Sequence, residues 1–140
     1  MMLDRELSAE VAQQIDPCPR ACFESALDAL DHLPDTATYV EGWIIKPGDR
    51  VLGEHAWCEV NNRVVDPVYY ERDCAAYVAG ARYTKRKAKA LYGALRRLPL
   101  VRYTVDGVDH NRYLIAMAQA QRTARDLLRG ASNGSKSDDD

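Results

Sequence analysis

His55-Ala56-Trp57-Cys58-Glu59-Val60-Asn61-Asn62-Arg63-Val64-Val65-Asp66-Pro67 is the stretch from which the rest of the chain is read. Apolar and aromatic residues flank Asn61-Asn62, a pair suited to a tight two-residue turn, so the stretch predicts two antiparallel strands. Pro67 has no N–H to give a ladder and ends the second strand. A hairpin turning at 61–62 pairs position 57 with about 66 and position 55 with about 68. His55 and Asp66 therefore reach the same end of the hairpin, within a couple of residues in register.

Upstream, Thr38-Tyr39-Val40-Glu41-Gly42-Trp43-Ile44-Ile45 is β-branched and aromatic and predicts a strand, closed by the turn Lys46-Pro47-Gly48-Asp49. The result is a three-strand antiparallel meander, with a further edge strand expected near Leu100–Val105. Leu3, Leu7, Val11 and Ile15 recur every fourth residue and predict a helix over 3–15. Asp16-Pro17-Cys18-Pro19 stops it, and a second helix is expected from Arg20 or Ala21 to about Leu33, where Pro34 ends it. Residues 71–98 read as mainly helical, and a last helix is expected from Asn111 to about Arg129. The fold class is α+β: a helix carrying a cysteine packed on a small antiparallel sheet, with additional C-terminal helices. One domain is expected over 1–130, followed by a disordered polar tail over 131–140.

The composition suits a water-soluble globule, with 46% hydrophobic and 29% charged residues. No stretch approaches the roughly 18 apolar residues of a membrane helix, and Met1-Met2-Leu3-Asp4-Arg5-Glu6 lacks the apolar run of a secretory signal. The expected compartment is the cytoplasm, where the cysteines at 18, 22, 58 and 74 stay free thiols. Their gaps of 4, 36 and 16 contain no Cys-x-x-Cys pair, so no metal site is expected. The net charge of -2 is unevenly spread: eight Lys/Arg and no acid lie between Arg82 and Arg102. A solvated helix face explains such a run, as does a surface for an acidic protein. Tyr83, Tyr92 and Tyr103 form no RNA-binding pattern, so nucleic acid is not the expected partner.

Chemistry centres on Cys22. A thiol with a pKa of about 8.5 attacks only as thiolate, and a helix N-terminus or an adjacent imidazole favours that form. Cys22 opens the second helix, His55 supplies the imidazole, and Asp66 orients its other nitrogen. Each residue has a plainer reading: a buried small apolar side chain, a hydrogen-bonded core histidine, and turn chemistry before Pro67. Cys18, between two prolines, is the rival nucleophile. Cys58 and Cys74 read as packing, and His32 and His110 as surface. The backbone N–H of Cys22 is one candidate oxyanion donor, and the Gln13 or Gln14 amide another.

Tyr39-Val40-Glu41-Gly42-Trp43, His55-Ala56-Trp57-Cys58-Glu59-Val60 and Arg63-Val64-Val65-Asp66-Pro67, preceded by Cys22-Phe23-Glu24-Ser25-Ala26, resemble motifs of the papain-like/transglutaminase-like cysteine protease superfamily. The resemblance covers roughly residues 20–70 and keeps that superfamily's order of Cys, His and Asp. Ser25 and Val68 stand where the pattern has Asn and Thr. It implies Cys22, His55 and Asp66 as a triad that acylates the thiol from an amide or peptide bond, with no cofactor. The substrate is then a protein or peptide, and the thioester is resolved by water or by an amine. Trp57, Trp43 and Glu41 are the expected substrate-binding residues; the plainer readings are core aromatics for the two tryptophans and a structural hydrogen-bond partner for Glu41. A different class of function is a non-catalytic binding or inhibitor module, engaging a host protein or nucleic acid through residues 82–102.

Overall fold

The computed structural model describes residues 1–18, 21–46, 51–72, 76–104 and 107–137, with no side-chain description at 107–109 and 131–137. The chain is α+β. Helices α1 (Arg5–Ile15) and α2 (Cys22–Ala29, continued by a 3-10 turn Leu30–His32) precede strands β1 (Thr38–Ile45), β2 (Leu52–Val60), β3 (Arg63–Val65) and β4 (Ala76–Thr84). Helices α3 (Lys85–Leu95), α4 (Leu100–Tyr103) and α5 (Gly107–Ser137) follow. The four strands form one antiparallel sheet in the order β3-β2-β1-β4.

The hairpin stands as its residues predict. Asn61 and Asn62 both take positive φ, the conformation a two-residue turn requires, and Cys58 pairs with Val65. Continued outward, that register sets Trp57 opposite Asp66 and His55 opposite Val68. Period-two alternation then sorts the sheet into two faces. Tyr39, Ala56, Cys58, Val60 and Val65 pack on one side with Ala26, Leu27 and Leu30 of α2 and Met117 of α5. Val40, Ile44, Trp57 and Val64 pack on the other with Leu3, Tyr69, Tyr77 and Ala79.

Two expectations in the C-terminal half are corrected. Residues 76–84 are a strand, not helix. The alternation there is interrupted by a β-bulge: Glu41 faces Ala81 and Gly42 faces Ala79, which leaves Gly80 as the extra residue. Tyr77 and Ala79 consequently lie on the second face while Ala81 and Tyr83 lie on the first, although all four are odd positions. No constant period marks the segment as a strand, and its alanines mimic a helix. Helix α3 starts only at Lys85, where the Thr84 side chain caps the Lys87 N–H at 3.1 Å.

The second correction concerns residues 100–103, which form the short helix α4 instead of an edge strand. Its first two N–H groups, Leu100 and Val101, donate to the buried Glu41 carboxylate at 2.7 and 2.9 Å, an acceptor that favours helical over extended backbone. Helix α5 keeps its backbone helical to Ser137, past Gly130, where composition places the polar tail. Adding residues to an existing helix is far easier than nucleating one, so a polar sequence can follow.

Candidate active site

His55 and Asp66 form a buried pair, His55 1% and Asp66 0% exposed. His55 Nε2 lies 2.9 Å from Asp66 Oδ2. The two carboxylate oxygens divide the work. Oδ1 accepts the N–H groups of Val68 and Tyr69 at 3.0 and 3.2 Å, which is the turn chemistry of an Asp-Pro step. Oδ2 accepts from His55 and from the Tyr77 hydroxyl at 2.7 Å. The Asp66 backbone N–H is held in turn by Ser8 Oγ of α1 at 3.0 Å. The Tyr69 ring lies 4.9 Å from the imidazole and the Trp57 ring stacks at 6.1 Å, so water is excluded from the pair.

The Cys22 thiol is near enough to the imidazole to act with Asp66 in raising its pKa. With Nε2 committed to Asp66, Nδ1 is the ring nitrogen that can serve a thiol. Helix α2 packs its apolar residues on the first sheet face, whereas His55 shares the second with Trp57. The edge of β2 toward β3 is where the two faces adjoin. β3 ends at Val65, so among the described residues no strand pairs with 52–57 on that side. Cys22 is the first residue of α2, and its N-cap, Ala21, places no side chain on the first-turn amides. The positive end of the helix dipole there favours a thiolate.

Burial alone pushes the His55 pKa down. The hydrogen bond to Asp66, the nearby Cys22 thiol and the negative charge of both overcome this and raise it from 6.5 to about 9. For Asp66 burial acts upward, but the His55 hydrogen bond and charge, with the Tyr77 hydroxyl, hold it below the usual carboxylate range. Each shift stabilises the ionic form of the other partner. A raised histidine pKa contributes stability that is full below pH about 6.5 and lost as pH rises through about 9. Urea midpoints measured from pH 6.5 to 9.5 should accordingly fall, by on the order of 3 kcal/mol in stability. His55→Gln should flatten that decline.

No protein-family model, curated protein or solved structure matches this chain. The superfamily resemblance thus stands on the quoted motifs.

The remaining cysteines divide by environment. Cys58 is fully buried, donates to the Ala26 carbonyl at 3.1 Å, and has its thiol pKa pushed up by burial. Cys18 is exposed, and its backbone N–H donates to Ser25 Oγ of α2 at 3.3 Å. Cys74 lies outside the described residues. Gln13 and Gln14, the considered side-chain oxyanion donors, are exposed on α1. His32 is exposed on the 3-10 turn, and His110 lies half-buried within α5, not in a turn.

Of the three expected substrate-binding residues, Trp57 stacks on His55, whereas Glu41 and Trp43 lie on the other face. Glu41 is 0% exposed and accepts from Tyr39 as well as from α4, so it is a structural hub on the face opposite His55. Trp43 is half-buried and donates its indole N–H to the Met117 carbonyl of α5 at 3.2 Å. Trp57 shares His55's face but is 1% exposed, filling the second core cluster. Tyr77, Tyr69 and Ser8 complete the site in their stead. The Asp-Pro turn hinted at the residues after Asp66. No local signal marked Ser8, and the bulged strand hid Tyr77.

Among the described residues, no group of three or more His, Cys, Asp or Glu is arranged to hold a metal ion, and no helix is long and apolar enough to cross a membrane.

Proposed function

We propose that this chain is a cysteine-dependent acyl-transfer enzyme acting on amide or peptide bonds of a protein or peptide substrate. The observation that carries the proposal is a buried imidazole hydrogen-bonded to a carboxylate, with its pKa raised by that carboxylate and by the thiol that opens α2. His55 takes the Cys22 proton, Asp66 holds the tautomer with the proton on Nε2, and the thiolate adds to the carbonyl carbon. First-turn N–H groups of α2 receive the developing oxyanion. The imidazolium then protonates the leaving amine, and water or a second amine resolves the thioester. Hydrolysis is the simpler outcome, because nothing in the sequence marks an amine-acceptor site.

The binding-module alternative draws on the cations of residues 82–102. Arg82, Lys85, Lys89 and Arg102 pair with Glu59, Asp35, Asp31 and Glu54 of this same chain. At least four of the eight are thus balanced internally, which weakens the case for a dedicated anionic partner.

The test is selective alkylation. At pH 6 to 6.5 a low dose of iodoacetamide should label Cys22 ahead of Cys18 and Cys58, because an unassisted thiol is only about 1% ionised there. Cys22→Ala should abolish the fast labelling and Cys18→Ala should leave it. Equal labelling of Cys18 and Cys22 in the folded chain rejects an activated nucleophile.

A further inference from the structure

Tyr77 belongs to no motif legible in the sequence, yet it touches the acid of the site from two strands away. β4 lies beyond β1, and β1 lies beyond β2. What brings Tyr77 across is the bulge at Gly80. With an unbroken alternation Tyr77 would share a face with Tyr83, on the side of α5. The extra residue turns the N-terminal half of β4 over, so that Tyr77 lies on the His55 side with Trp57. Bulges next to active sites commonly re-aim a side chain in this way.

Two glycines keep the path open. A Cβ on Gly80 would collide with Met117 Sδ and stand 3.1 Å from the Glu41 carbonyl oxygen. A Cβ on Gly42 would collide with the Val78 carbonyl and come within 2.7 Å of Trp57 Cη2. Gly42 is the β1 partner of His55, so the bare backbone there leaves room for the indole. The Tyr77 ring meets that indole edge-on at 5.2 Å, which fixes the direction of its hydroxyl.

We infer that Tyr77 is a positioning residue of the Cys22–His55–Asp66 site: held across β1 by the Gly80 bulge, its hydroxyl shares Asp66 Oδ2 with His55 and sets how tightly the carboxylate grips the imidazolium. The inference rests on the acyl-transfer reading of that site. The 2.7 Å contact is short, as expected for a hydroxyl donating to a carboxylate. Charge drawn toward the phenol is charge not offered to His55. An imidazolium gripped less tightly returns its proton more readily to the leaving amine, the step in which His55 acts as an acid. Tyr77 also keeps Oδ2 doubly satisfied while His55 exchanges its proton with Cys22, so the carboxylate does not swing.

The experiment is an NMR titration of the His55 ring in the full chain. Tyr77→Phe keeps the ring against Trp57 and removes only the donor. The His55 midpoint should rise by about half a unit, a threefold gain in proton affinity. Replacing Tyr77 by 3-fluorotyrosine keeps the shape and makes the phenol a stronger donor, so the midpoint should fall. That opposite sign is not produced by a merely structural role, and it is readable even where Tyr77→Phe fails to fold. A His55 midpoint that stays in place under 3-fluorotyrosine overturns the inference. Alkylation separates this from the parent reading. If wild-type Cys22 is not labelled selectively, the acyl-transfer proposal falls. If it is, and the midpoint does not move, only the role of Tyr77 falls.

Discussion

Asp66→Asn should slow acylation of Cys22 by an activated ester about 10²- to 10⁴-fold at pH 6.5. The four groups around this carboxylate all donate to it: the Val68 and Tyr69 N–H groups, the Tyr77 hydroxyl and His55 Nε2. An amide offers only one acceptor oxygen, and the two backbone donors of the turn take it. The amide NH₂ then faces His55 Nε2 and is satisfied only when that nitrogen accepts. The imidazole proton moves to Nδ1, the side on which Cys22 needs a base. The upper figure is the cost of the same tautomer inversion in a serine triad, and the lower one follows from the roughly 1% of an unassisted thiol that is ionised at this pH. Stopped-flow acylation with a chromogenic ester measures it, with thermal melting to show that the variant folds. A loss under tenfold would remove Asp66 from the mechanism.

Glu41→Ala should cost at least about 3 kcal/mol of stability without touching the thiol or its base. Three buried donors lose their acceptor together: the Tyr39 hydroxyl at 2.6 Å and the Leu100 and Val101 N–H groups. Each orphaned buried donor costs about 1–3 kcal/mol, against a typical total stability of about 5–15 kcal/mol. Burial pushes the Glu41 pKa up while its three donors work the other way, so the side chain is held in place at the expense of its solvation. Urea unfolding of Glu41→Ala and Glu41→Gln gives the comparison, the amide being the milder change because it retains one acceptor oxygen and the volume. If Glu41 instead contacted substrate, Glu41→Ala would keep the wild-type midpoint and raise KM.

The contrast between these two acidic residues shows what the sequence could carry. Asp66 was legible because the Asn61-Asn62 turn sets its register against His55 within a few residues, and hairpin geometry converts spacing directly into proximity. Glu41 sits in an equally suggestive motif, but its partners are 59 and 60 residues away, and no local rule reveals that they exist. The helix carrying Cys22 and the first three strands follow from prolines, apolar period and turn residues. β4 was lost because its bulge reverses the alternation from which a strand is recognised. α4 was lost because what makes it helical is a carboxylate on β1. Tyr77 went unread for both reasons together: it lies on the misread strand and acts at long range.

The first residues of the chain bear on the chemistry in a way their sequence does not suggest. Val64 donates to the Met2 carbonyl at 2.8 Å, Asp4 donates to the Val64 carbonyl at 2.8 Å, and Ser8 takes the Asp66 N–H. Residues 2–8 thereby clasp the outer edge of β3 one step before the acid residue. A segment held to a sheet edge by a few hydrogen bonds opens locally at low cost. Such opening uncouples the carboxylate from its anchor, so hydrogen-exchange protection at Val64 and Asp66 becomes a gauge of the fraction of molecules in which Asp66 is held.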